Sequence, residues 1–282
     1  MKKLITYSII VLCMLLSAIL AQAQTYWNGA ADIEFAGSGT EADPYLITTA
    51  EELAGLATRV NNKEQKEDFA GQYFKLTNDI YLTDFTNPDT ASWHEWTPIG
   101  AWTDDQKGPY EHYFDTCYFR GHFDGDNHTI HNIYMGTVGE IYIPDADDPL
   151  GSDIIDLTGS CQGFFGFVDQ ATIKNLNLQN AGITAANYYN GGLISNAYNS
   201  TITNCHVRKS TVVAAMASEV GGLIGLLKSS IVDSCSVEDI QVKGSYVGGL
   251  ISYVDSASVV RNSHATGKAF VIKRADKYGG FG

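Results

Sequence analysis

The chain has 282 residues, 44% of them hydrophobic, and sets 18 Lys and Arg against 32 Asp and Glu, a formal net charge of −14. This composition suits a folded protein and excludes a disordered one. The excess of acid also excludes nucleic acid as a partner, because phosphates must be neutralised by Lys and Arg.

Lys2 and Lys3 precede an apolar stretch, Leu4 to Leu20, and "AQA" closes it at Ala23. This reads as a secretory signal over 1–23, cleaved before Gln24, which leaves no membrane span in the mature chain. Cys13 lies too deep in the apolar stretch for a lipoprotein site. The four remaining cysteines, Cys117, Cys161, Cys205 and Cys235, are too sparse for a disulfide framework, so apolar packing must supply the core.

Residues 24–46 are rich in glycine and polar turn residues, and then the period changes. Thr49 and Glu52 fit a capping box, with Leu53, Leu56 and Val60 at helical spacing, which predicts one amphipathic helix over about 50–61. Short strands follow in "YFKLTNDIYL", "WTPIG" and "CYFRGHFDGDNHTIHNIYM", where "DGDN" supplies the residues a tight turn demands. An acidic insertion is expected over about 136–162, containing Pro144 and Pro149. Residues 24–162 are thus the N-terminal coils with their helix and insertion, and 163–282 is the repeat region.

The repeat is marked by "GGLISNA", "VGGLIGLL", "GGLISYV" and "GGFG", with the variant "QGFFGFV" first. Taking Gly163, Gly192, Gly222, Gly249 and Gly280 as markers, the intervals are 29, 30, 27 and 31 residues. This period suits a solenoid and is too short for propeller blades. Each repeat holds about three β-prone runs, which predicts one triangular coil. Cys205 and Cys235 share an offset from their markers, with Leu176 and, after a one-residue shift, Ser263 in the same place. Val207, Val237 and Leu178 lie two residues on. These are inward columns. Between them Arg208 falls over Glu238 and Lys209 over Asp239, which reads as charge matching between coils. The paired glycines are expected at corners, where the backbone turns through positive φ and rungs about 4.8 Å apart leave little room for a Cβ.

The "GGLIG" repeats resemble the GLUG motif of bacterial secreted and surface proteins. "GSGTEADPYLITTAEELAGLA", "FKLTNDIYL", "WTPIG" and "FRGHFDGDNHTIHNI" are similar to the region that precedes such repeats, so the likeness runs from Gly37 to the end. It implies an all-β fold, a right-handed parallel β-helix with an N-terminal capping α-helix, on the outer face of a Gram-negative, Bacteroidetes-like cell. It also implies adhesive or glycan-contacting roles. The final "YGGFG" sits where a new coil should begin, so a further C-terminal region or a covering partner is expected.

Chemistry is harder to find. His94 and Glu95 begin a His-Glu-x-x-His pattern, but Pro98 replaces its second histidine, and no nucleophile elbow, phosphate loop or Cys-x-x-Cys occurs. Asp124, Asp126 and His128 are read as turn residues. Asp145, Asp147 and Asp148 form a solvated acidic loop, with Ca2+ binding as the alternative. Tyr188, Tyr189, Tyr198, Tyr246 and Tyr253 lie near repeat corners and are the candidate ligand-binding residues, as aromatic platforms for glycan. The expectation is a non-catalytic adhesin-like surface protein with no cofactor, contacting a glycan or a cell-surface protein. The alternatives are a polysaccharide lyase or glycoside hydrolase on a β-helix, and a Ca2+-stabilised interaction module.

Overall fold

The computed structural model describes residues 24–65, 67–108, 111–136, 161–185, 188–214 and 219–271, with backbone alone over 103–115. Residues 1–23, read from sequence as a secretory signal, most of the expected acidic insertion and the terminal "YGGFG" lie outside the described residues.

The chain winds as a parallel β-helix. One ladder runs through seven strands, Tyr45–Ile47, Tyr73–Leu76, His122–Asp124, Thr172–Lys174, Thr201–Thr203, Ile231–Asp233 and Val259–Arg261, which makes about six turns. Every step in it is parallel and in register: Phe74 pairs Phe123, Phe123 pairs Ile173, Ile173 pairs Ile202, and Ile202 pairs Val232. Those inward side chains are 0–1% exposed and form one continuous apolar column.

The predicted runs divide further, so that a coil such as 194–221 holds five short strands: Ile194–Tyr198, Thr201–Thr203, His206–Arg208, Thr211–Ala214 and Glu219–Gly221. The breaks fall every five residues on a residue in the left-handed region. These are Gln170, Asn175 and Asn180 in one coil, Asn199, Asn204 and Lys209 in the next, and Ser229, Ser234 and Asp239 in the third. Asparagine tolerates this conformation better than most residues, and here its amide also bonds along the stack. Asn204 Nδ2 donates to Asn175 Oδ1 at 2.9 Å, and Asn175 Nδ2 donates to Asp124 Oδ1 at 2.9 Å.

The glycine pairs therefore have a different role from the one expected. Gly191–Gly192, Gly221–Gly222 and Gly248–Gly249 are not among the positive-φ residues, which corrects that part of the expectation. Their reason is space alone. A Cβ on Gly221 would lie 1.9 Å from the Ile224 carbonyl oxygen, and one on Gly222 would lie 2.1 Å from that of Gly249 on the next rung.

Behind most of these corners a small residue points inward, with Leu176 and Ile240 filling that place in two of them. Ser200 Oγ accepts from Ala171 N on the previous rung at 3.0 Å and donates to the Tyr198 carbonyl two residues back. Ser230 Oγ and Ser210 Oγ repeat both contacts. Cys205 Sγ and Cys235 Sγ donate to the equivalent carbonyls, Thr203 and Asp233, at 3.3 Å, and Ser263 Oγ takes the same place one rung on. Cys117, Cys161, Cys205 and Cys235 are all buried. Burial pushes the Cys205 thiol well above its usual pKa, which keeps it neutral.

The N-terminal end is closed by the helix Ala50–Val60, whose capping box is present as read: Glu52 N donates to Thr49 Oγ1, and Glu52 Oε2 accepts from Thr49 N. Leu53 and Leu56 are fully buried against the first rungs. The early coils are longer. Tyr73 pairs His122 and His122 pairs Thr172, whereas later partners are 28–30 residues apart.

Part of the extra length is an antiparallel hairpin, Trp102–Gly108 with Glu111–Thr116, which the sequence reading did not anticipate. It interrupts a single rung. Ile99 bridges Phe165 before it and Phe119 bridges Val168 after it, and Cys117 N closes its base on the Ala101 carbonyl at 2.9 Å.

Candidate functional site

The five candidate tyrosines lie on one side of the coil, in two groups. Tyr188, at φ +60°, meets Trp102 edge to face at 5.1 Å, and Trp102 stacks on Phe167 at 5.6 Å. Tyr198 meets Tyr118 edge to face at 6.3 Å, and Tyr118 in turn meets Phe167 at 6.0 Å. Arg120 lies over the Tyr118 ring and is itself held by Asp68 and Asp169. Burial pushes the Tyr198 phenol up to about 12. Much of this first group is thus packed around the root of the hairpin.

The second group is more open. Tyr189, Glu219 and Tyr246 are successive members of one ladder, because Tyr189 pairs Glu219 and Glu219 pairs Tyr246. Tyr253 approaches Tyr189 edge to face, with centroids 6.3 Å apart and planes at 64°. Tyr246 is 66% exposed and Tyr253 46%, while Tyr189 and Glu219 are half-buried. Burial first, then Glu219 and Tyr253, push the Tyr189 hydroxyl above its usual pKa. Sequence reading singled out the tyrosines and missed Glu219, Trp102 and Tyr118. A signal for Glu219 was available, since Tyr189, Glu219 and Tyr246 each stand three residues before a marker glycine.

The acidic candidates have other partners. Asp124 accepts from Asp126 N and Asn175 Nδ2 and pairs with Lys174 at 3.1 Å. Asp126 pairs with Lys75 at 3.0 Å, and His128 Nδ1 lies 3.2 Å from Asp79. All three are corner residues, as the turn reading has it. Glu95 accepts from Gly136 N at 2.8 Å, and His94 packs its ring edge to face with Trp27. Among the described residues no group of three His, Cys, Asp or Glu could hold a metal ion. Asp145, Asp147 and Asp148 lie outside the described residues.

Outward charges elsewhere are matched from rung to rung. Arg208 pairs with Glu238 at 3.3 Å and Arg261 with Asp233 at 2.9 Å, while Asp233 also accepts from Asn262. On the same face His206 Nδ1 lies 2.8 Å from Ser236 Oγ. No helix among the described residues is long and apolar enough to cross a membrane.

The family model of the GLUG motif matches residues 243–269, a span that covers one coil and includes Gly248, Gly249 and Leu250. Halomucin from Haloquadratum walsbyi is 29% identical over 198 residues, which is 68% of this chain and 2% of the length of that protein. A solved structure from Bacteroides ovatus, described as a "putative immunoglobulin A1 protease", is 18% identical, with a TM-score of 0.38 over 83% of this chain and 85% of its own. The coil over 243–269 thus carries the GLUG motif, and its Gly-Gly marker stacks in register with those of the two coils before it.

Proposed function

We propose that this chain is a section of an exported cell-surface β-helix that works without catalysis, as a stalk carrying an adhesive face for a glycan or a cell-surface protein. The observation that carries this reading is the use to which outward side chains are put. The Arg208–Glu238 and Arg261–Asp233 pairs and the Asn204–Asn175–Asp124 chain of amides all bond along the stack, which stiffens a rod. The tyrosines on one side supply the apolar, hydrogen-bonding area that sugar rings and protein hot spots favour. The similarity to halomucin, named as a mucin, and the signal-like pattern over 1–23 support an extracellular location, and the resemblance of the repeats to those of bacterial surface proteins is what points to the outer face of a Gram-negative cell.

A glycan array probed with and without EDTA, followed by a reducing-sugar assay on each hit, tests the proposal. Retention on a glycan that survives EDTA, with no new reducing ends, is the expected result. Release of product would replace this reading with the carbohydrate-active enzyme, and binding that EDTA abolishes would replace it with the Ca2+-stabilised module.

A further inference from the structure

We propose that residues 277–281 of this chain seat on the open rung as the next strand above Tyr246–Gly248, with Tyr278 over Val247 and Phe281 over Leu250. The proposal concerns how the stack continues and does not depend on the adhesive reading.

The rung beneath is incompletely buried. Each coil has one inward side chain just before its glycine pair and another just after it. Val220 and Leu223 fill these places at 0% exposure, whereas Val247 and Leu250, one rung on, are half-buried. The ladder that leads to them is regular: Phe165 N donates to the Leu193 carbonyl, Leu193 N to that of Leu223, and Leu223 N to that of Leu250. Covering the two half-buried side chains removes apolar surface from water and is favourable.

Gly249 shows what kind of cover the rung is built for. A Cβ on Gly192 would lie 2.4 Å from the Gly222 carbonyl oxygen, and one on Gly222 would lie 2.1 Å from that of Gly249, so the second glycine of each pair sits beneath the second glycine of the next. Gly249 is the same residue in the same place. Among the described residues, however, a Cβ there would meet nothing closer than the Ala265 methyl, at 3.2 Å. The carbonyl that accounts for this glycine belongs one rung further on.

The chain holds such a strand at a matching distance. Val271 pairs with Gly244, and Phe270, Lys243 and Val213 are partners in register, so Ala214, Gly244 and Val271 stand at the same point of three successive coils. Four residues lead from Ala214 to the strand beginning at Glu219, and one leads from Gly244 to Tyr246. Five residues, 272–276, separate Val271 from Lys277. There "KYGGF" repeats the order of "EVGGL" and "YVGGL", an outward residue, an inward one, the glycine pair and a second inward one. Phe281 thereby enters a column that Phe164 already fills at 0% exposure. A second copy offers no equivalent, since its glycine pairs lie within its own stack and its N-terminal end is closed by the helix Ala50–Val60.

Residue-resolved amide hydrogen exchange on the full chain tests the proposal. One rung below, Gly222 N donates to the Gly248 carbonyl at 3.1 Å and Leu223 N to that of Leu250 at 2.8 Å. The seated strand gives Gly249 N and Leu250 N the same kind of partner, so both should exchange at least about tenfold more slowly than open backbone. Phe281→Asp, which sets a charge over Leu250, and Gly249→Ala, which sets a Cβ beneath the Gly280 carbonyl, should each abolish that protection while Gly222 and Leu223 stay protected. Unprotected Gly249 and Leu250 amides in the parent chain overturn the proposal. So does protection that survives either substitution, or that falls on dilution, which assigns the rung to a second copy.

Discussion

The two ends of the described stack are built from the same kinds of residue and differ in how deeply those residues are buried. At the N-terminal end Ile47 and Phe74 are 0% and 1% exposed, because the helix Ala50–Val60 lays Leu53 and Leu56 over the first rungs. At the other end Val260 is 40% exposed, although Val232 directly beneath it in the same column is fully buried. Val254 is 44% exposed above a buried Leu227. Side-chain chemistry cannot explain the contrast, since valine stands in both states. In a solenoid an inward side chain is buried by the rungs on either side of it, so stability is a sum over neighbouring interfaces.

The largest expected effect would break this comparison if it failed. Ile202→Ala, with a rung on each face, should lower unfolding stability by about 3 kcal/mol. Val260→Ala, in the same column, should cost less than about 1 kcal/mol, because a half-exposed side chain has less burial to lose. Urea denaturation of the two variants measures both, and equal costs would mean that burial does not follow position in the stack. A smaller effect sharpens the account of the closed end. Thr49→Ala removes the hydroxyl that caps Glu52 N and should cost about 1 kcal/mol, seen as a lower thermal midpoint. The smallest joins the two regions through one column. Cys235→Ser should change stability by about 0.5 kcal/mol or less, since a hydroxyl keeps the bond to the Asp233 carbonyl, as Ser263 already does for Arg261 one rung on. A loss several times larger would show that the sulfur's bulk matters more than its hydrogen bond.

What could be read from the sequence was whatever repeats with side-chain identity. The marker glycines, the Cys205–Cys235 column, the Arg208–Glu238 pair and the Thr49–Glu52 box each announce themselves by spacing, and each stands where that spacing puts it. The left-handed corners were harder because the position is filled by Gln170, Asn199 and Ser229 in successive coils, which share a conformation and little chemistry. A five-residue beat of polar residue then small or apolar residue, as in Asn175–Leu176 and Asn180–Ala181, was the legible trace. The hairpin at Trp102–Thr116 was hidden for another reason. It has no counterpart in the later repeats, and "WTPIG" and "CYFRG" read as separate strands when they are the two halves of one interrupted rung. For the tyrosines, sequence indicated the side chains but not their sorting. Which ones pack against the hairpin and which meet each other on the open side depends on contacts between distant rungs.

That interrupted rung bears on how such proteins diversify. Ile99 and Phe119 sit on the ladder as though nothing lay between them, and the detour closes at its base where Cys117 N donates to the Ala101 carbonyl. Because closing a longer loop costs only slightly more entropy than closing a shorter one, a passenger segment of almost any size could be spliced there without disturbing the rungs above and below. The stack thus behaves as a rail with a docking slot: its pitch is inherited, and its cargo is free to vary from one lineage to another.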